Sequence, residues 1–86
     1  MNTASCMTVE ELRELRKYLK LRRLDYTHAI DECKEKILKD PTDKVLDAQF
    51  SFVRAYERQL SCLARLDLDV KLDIEDLTGE EEPNVL

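Results

Sequence analysis

The sequence KDPTD, residues 39–43, decides the fold, because its proline is the only strong helix breaker within residues 8–77. A proline inside a helix removes a hydrogen bond, and its ring clashes with the preceding turn. At the first position of a helix it loses no hydrogen bond, and Asp40 before it is a suitable N-cap. We therefore expect a short turn that joins two antiparallel helices, over about residues 9–39 and 41–66.

The first predicted helix begins at a capping box. The Thr8 hydroxyl can accept a hydrogen bond from the amide of Glu11, whose carboxylate can accept one from the amide of Thr8. Residues 1–7 are then expected to form a flexible leader. One face of the helix is apolar and consists of Leu12, Leu15, Leu19, Tyr26, Ile30, Cys33 and Ile37. Leu15, Tyr26 and Ile37 are eleven residues apart, which predicts nearly straight packing rather than a regular left-handed coiled coil.

Both helices have more apolar surface than one neighbour can cover. Leu21 and Leu24 form a second stripe on the first helix. The second helix is apolar over a wide arc, which includes Leu46, Phe50, Phe52, Val53, Tyr56, Leu60 and Leu63. Exposed apolar faces of this kind indicate a contact surface. We expect an all-α fold, a two-helix antiparallel hairpin that dimerises into a four-helix bundle or packs on a partner protein.

After the second predicted helix the apolar period changes. Residues 66–75 alternate between apolar and charged side chains, which is the period of an extended strand. A helix is the alternative, since Val70 and Ile74 also fit helical spacing and aspartate is a poor strand residue. We favour an acidic extended segment, because a helix leaves Leu68 and Leu72 on its charged side.

Charge is distributed unevenly in this chain of net charge −5. Residues 66–86 contain eight acidic residues and one basic residue. The acidic segment includes Asp67, Asp69, Asp73, Glu75 and Asp76. Beyond Gly79 we expect a disordered acidic tail.

A basic face on the first helix is formed by Arg13, Arg16, Lys17 and Lys20, whose spacing is i, i+3, i+4 and i+7. The favoured interpretation is a solvated helix surface. A docking site for an acidic protein segment and a nucleic-acid site are the alternatives, and the negative total charge argues against nucleic acid.

The residue types of this chain argue against catalysis and against metal or cofactor binding. The single histidine, His28, has no cysteine companion within one helical turn, and no glycine-rich loop is available for phosphate. We therefore expect no enzymatic activity, no cofactor and no metal. Three cysteines without a CxxC pair, in a chain whose first residues are unlike a signal peptide, predict the cytoplasm. No apolar run approaches the length of about 20 residues that a membrane span needs.

These observations predict a non-enzymatic protein-protein interaction module, such as a small assembly subunit, an adaptor or a chaperone-like hairpin. Its predicted interaction residues are Leu12, Leu15, Leu19, Leu21, Leu24, Tyr26, Ile30, Phe50, Phe52, Val53, Tyr56, Leu60 and Leu63. The alternative is an inhibitor that mimics nucleic acid and occupies a basic site on a target through residues 66–82.

Overall fold

The computed structural model describes residues 6–84 and folds them into two helices, α1 over Val9–Lys39 and α2 over Asp43–Thr78. The helices are antiparallel neighbours in a rod of 53 × 22 × 16 Å. The predicted all-α hairpin is confirmed, and no strand occurs in the part of the chain that is described. Residues 1–5 of the predicted leader and residues 85–86 of the predicted tail lie outside the described residues.

The capping box at the start of α1 is confirmed. The amide of Glu11 donates to Thr8 Oγ1 over 3.2 Å, and the amide of Thr8 donates to Glu11 Oε1 over 3.0 Å. Two of the amides that have no partner inside the helix are thereby satisfied. Sequence alone was sufficient to place this end of the helix.

The start of α2 differs from the prediction. Its N-cap is Thr42, whose Oγ1 accepts a hydrogen bond from the amide of Val45 over 3.4 Å, and not Asp40. Asp40 instead ends α1, where its backbone N–H donates to the carbonyl of Lys36 over 3.1 Å. A residue before proline is disfavoured in the helical region, and Asp40 has φ −146° and ψ 80°. The turn therefore includes Pro41 and Thr42, and α2 begins two residues later than predicted.

The predicted extended segment is wrong, because α2 continues without interruption to Thr78. In the helix, Val70 and Ile74 are one turn apart and bury the same face, whereas in a strand Leu68 and Leu72 would share that face with them. Leu68 and Leu72, which favoured the extended interpretation, are 53% and 49% exposed. The helix ends at Gly79, whose φ of 70° is readily adopted only by glycine.

The seam between the helices follows alternating steps of three and four residues. Buried or half-buried positions in this series are Val9, Leu12, Arg16, Leu19, Arg23, Tyr26, Ile30, Cys33 and Ile37 on α1, and Leu46, Gln49, Val53, Tyr56, Leu60, Leu63, Asp67, Val70 and Ile74 on α2. This spacing is that of a heptad repeat, so the expectation of an eleven-residue repeat is wrong. Polar residues at four of these positions conceal the heptad in the sequence.

The core lies at the end of the rod that is far from Pro41. Leu12, Val70 and Ile74 form its centre, with relative exposures of 0%, 1% and 0%. Met7 packs against this cluster, together with the half-buried Val9 and Leu15. The most buried part of the protein thus includes residues that the sequence assigned to an extended segment.

Candidate interaction surfaces

A buried arginine pairs with an aspartate across the seam. The Arg16 side chain is 2% exposed, and that of Asp67 is 14% exposed. Arg16 Nε donates to Asp67 Oδ1 over 2.8 Å, and Arg16 Nη2 donates to Asp67 Oδ2 over 3.0 Å. This two-point geometry is the strongest that an arginine and a carboxylate can form.

Residues 79–84 pack against α1, and we name them the C-terminal strap. Both carboxylate oxygens of Glu82 accept hydrogen bonds from Arg13, each over 3.2 Å. The backbone amide of Glu82 donates to Glu75 Oε2 over 2.9 Å, and Arg16 Nη1 donates to the carbonyl of Pro83 over 2.8 Å. The expectation of a disordered tail is therefore wrong for the strap.

The neighbouring carboxylates raise the pKa values of Arg13 and Arg16. The hydrogen bond to Asp67 raises the pKa of Arg16 against the opposing effect of burial. The hydrogen bond and the charge of Glu82 raise the pKa of Arg13. A raised pKa stabilises the fold below the unfolded-state pKa, and this contribution is lost only as the pH rises through the folded-state value. Both guanidinium groups therefore stay charged from acidic to moderately alkaline pH.

The predicted basic face is divided among several partners. Arg13 and Arg16 bind the carboxylates described above, and Lys17 Nζ lies 3.1 Å from Glu14 Oε1 on the exposed surface. Lys20 is exposed one turn further along α1. A small recess is lined by Arg13, Arg16, Lys17 and Glu82, so a carboxylate of the same chain lies inside the basic cluster.

The predicted acidic segment does not form one row. Asp67 lies in the seam and Glu75 accepts a hydrogen bond from the strap, whereas Asp69 and Asp76 are exposed and Asp73 is half-buried. Helical geometry separates these carboxylates, which an extended chain would have spaced regularly. At least two of the five are therefore engaged within the chain itself.

Most of the predicted interaction residues belong to the hairpin seam. Leu12 and Leu19 are buried. The half-buried members are Tyr26, Ile30, Val53, Tyr56, Leu60 and Leu63. Leu15 is half-buried beside the seam, where it packs against the core cluster. The rings of Tyr26 and Tyr56 have centroids 5.8 Å apart, which fixes the register of the middle of the rod. The hairpin itself therefore accounts for much of the apolar pattern.

The other predicted interaction residues are exposed. Leu21 is 61% exposed and Leu24 is 45% exposed, on the side of α1 that faces away from the seam. Together with Tyr18 they form what we name the α1 outer face. Phe50 and Phe52 on α2 are 50% and 52% exposed.

Further exposed apolar residues lie on α2, outside the set of predicted interaction residues given above. By helical spacing Leu66 and Leu77 lie on the same flank as Phe52, and Leu68 and Leu72 share the opposite flank with Phe50. In the sequence, the i, i+4 spacing of Leu68 and Leu72 indicates this second flank. It was not used, because residues 66–75 were predicted to be extended.

Within residues 6–84, no group of three or more histidine, cysteine, aspartate or glutamate side chains is arranged to hold a metal ion. Across the same residues, neither helix combines the length and apolar character needed to cross a bilayer. No protein-family model matches the chain, and neither curated proteins nor solved structures gave a match. Its function is therefore inferred from its own contacts and surfaces.

Proposed function

We propose that this chain is a non-enzymatic interaction module, a small assembly subunit or adaptor, whose exposed helix faces bind a second copy or a partner protein. One observation carries the proposal. Among the described residues 6–84, ten large apolar residues are at least 39% exposed: Tyr18, Leu21, Leu24, Leu38, Phe50, Phe52, Leu66, Leu68, Leu72 and Leu77.

Apolar surface outside the seam supports this proposal. Each leucine or phenylalanine that a partner covers contributes about 1.5–3 kcal/mol relative to full exposure. A hairpin has one internal seam, and a short chain buries a smaller share of its surface than a larger domain does. A second hairpin packed through its own α1 outer face would give α1 a second helical neighbour and cover Leu21 and Leu24, in an assembly of four helices.

Sedimentation equilibrium over a range of concentrations tests self-association. We expect a mass that rises from 10.1 kDa for one chain towards twice that value. The double variant Leu21→Gln/Leu24→Gln should weaken association roughly tenfold or more, because two apolar side chains leave the interface. The control is Leu77→Gln, since Leu77 is 58% exposed but lies on α2 and not on the α1 outer face.

A wild-type chain that stays monomeric up to millimolar concentration would contradict the homodimer. The partner-protein form of the proposal would then be tested by affinity capture with wild type and the double variant side by side. Equal recovery of every captured protein by the two would contradict a role for the α1 outer face.

The inhibitor that mimics nucleic acid is less well supported. Its carboxylates at Asp67 and Glu75 bind Arg16 and the strap, and the remaining ones do not follow a strand. Contact through apolar faces is therefore the function that we propose. The cytoplasm remains part of this proposal, because Cys6, Cys33 and Cys62 are all free thiols.

A further inference from the structure

We propose that Arg13 and Arg16 form a binding site for an acidic segment of a partner protein, and that the C-terminal strap occupies this site from within the chain. The inference goes beyond the proposed function, because it concerns the charged end of the rod and not the exposed apolar faces. Either proposal can therefore fail without the other.

The contacts of Glu82 are those of a bound ligand. Both of its carboxylate oxygens face Arg13 at 3.2 Å, and Oε2 lies 3.9 Å from Arg16 Nη1. Its side chain is 12% exposed, whereas its neighbours Glu81 and Pro83 are exposed. The recess thus selects one carboxylate from three consecutive glutamates.

The chemistry of the site favours a peptide. Arg16 Nη1 donates to the carbonyl of Pro83 at 2.8 Å while the guanidinium of Arg13 binds the preceding carboxylate. A carboxylate followed by a main-chain carbonyl is a feature of an extended peptide and not of a phosphate group. The net charge of −5 and the proximity of Glu10 and Glu80 to Arg13 also oppose a long polyanion such as RNA.

The attachments of the strap are weak enough for a competing segment to displace it. Every residue in it except Glu82 is exposed, and its attachments are hydrogen bonds and ion pairs rather than buried apolar side chains. Arg13, in its pair with Glu82, is 50% exposed, and ion pairs that solvent can reach contribute little to stability. Gly79, with φ 70°, lets the chain reverse direction after α2. The core of Leu12, Val70 and Ile74 lies within the two helices and includes no residue of the strap.

An NMR titration of the full chain tests this site. The probe is a capped synthetic peptide with the sequence of the strap, GEEEPN, and the signals are the Nε–H groups of Arg13 and Arg16. The variant Glu82→Gln weakens the internal competitor, which acts at an effective concentration in the millimolar range. We expect the peptide to bind this variant roughly tenfold or more tightly than wild type, because that competition is reduced.

Matched controls separate the site from general charge attraction. A peptide with glutamine at the position of Glu82 should not bind. Adding Arg13→Gln to the Glu82→Gln chain should abolish binding, whereas adding Lys20→Gln, which removes an exposed cation on the same helix, should not. Circular dichroism of each variant should show the helical content of wild type.

Four results would overturn the proposal. They are equal binding by wild type and Glu82→Gln, no binding by either, binding that survives Arg13→Gln, and tighter binding of inorganic phosphate or an RNA oligonucleotide than of the peptide. Each is readable in the same titration, whatever the oligomeric state of the protein.

Discussion

Arg16 donates two hydrogen bonds to Asp67 across the seam, although the residues are 51 positions apart in the sequence. Together with the contact between Tyr26 and Tyr56, this pair fixes the register of the hairpin. A charged layer in a mainly apolar seam specifies alignment, as single polar residues do in coiled coils.

Removing one partner of this ion pair should destabilise the protein more than replacing both partners with apolar residues. We expect Asp67→Asn to lower the free energy of unfolding by about 3 kcal/mol, because the Arg16 charge stays buried without its carboxylate. The double variant Arg16→Met/Asp67→Leu should recover most of that loss, since both charges are gone. Urea denaturation measures both. A single variant as stable as wild type would show that the pair does not anchor the register.

Two leucines on α1 should respond differently to truncation. Leu12 is 0% exposed and Leu21 is 61% exposed. Leu12→Ala should lower the free energy of unfolding by about 3 kcal/mol, through lost burial and a cavity. Leu21→Ala, measured by denaturation at a concentration where the chain is monomeric, should change it by less than about 0.5 kcal/mol. Similar losses would mean that the helix presents a different face to its neighbour.

A proline substitution should test whether residues 66–78 are helical. Asp69→Pro in the exposed interior of α2 should lower the free energy of unfolding by about 3 kcal/mol or more, through a lost hydrogen bond and a steric clash. Asp43→Pro is the matched control, because Asp43 is the first residue of α2 and proline is tolerated there. Circular dichroism and thermal denaturation should distinguish the two. Equal tolerance would support the extended segment.

Replacing a buried amide should stabilise the protein. Gln49 lies in the seam, and its Oε1 atom is buried without a hydrogen-bond partner among the described residues. Gln49→Leu should raise the free energy of unfolding by about 1 kcal/mol, because an unsatisfied polar atom is removed and apolar area is buried. Gln59→Leu should have little effect, since Gln59 is exposed. A loss of stability in Gln49→Leu would indicate that the amide has a partner in solution.

Local signals in the sequence were sufficient for much of the fold. Thr8 and Glu11 placed the start of α1, and Pro41 placed the turn, because caps and proline act on neighbouring residues. The length of α2 was not predictable in the same way. Alternating residues from 66 to 75 fit two periods, and only the burial of Val70 and Ile74 against Leu12 selects the helical one.

The candidate site was harder to predict because its residues are charged. Arg16 was assigned to a basic face and Asp67 to an acidic segment, and each assignment treats the charge as facing solvent. Their burial follows from the register of the seam, which joins distant parts of the chain. A heptad search that allowed one arginine opposite one aspartate would have found the pair. The exposed Leu21 and Leu24, in contrast, were identified correctly as lying outside the seam.

The distance between the core and Pro41 has a consequence for how the protein forms during synthesis. Residues beside the turn, such as Ile37 and Leu46, meet early but are only half-buried. The cluster of Leu12, Val70 and Ile74 needs a residue from near each end of the chain. A ribosome-bound hairpin that lacks Val70 and Ile74 can therefore form its turn but not its core cluster. Leu12 stays exposed to solvent until those two residues leave the ribosome.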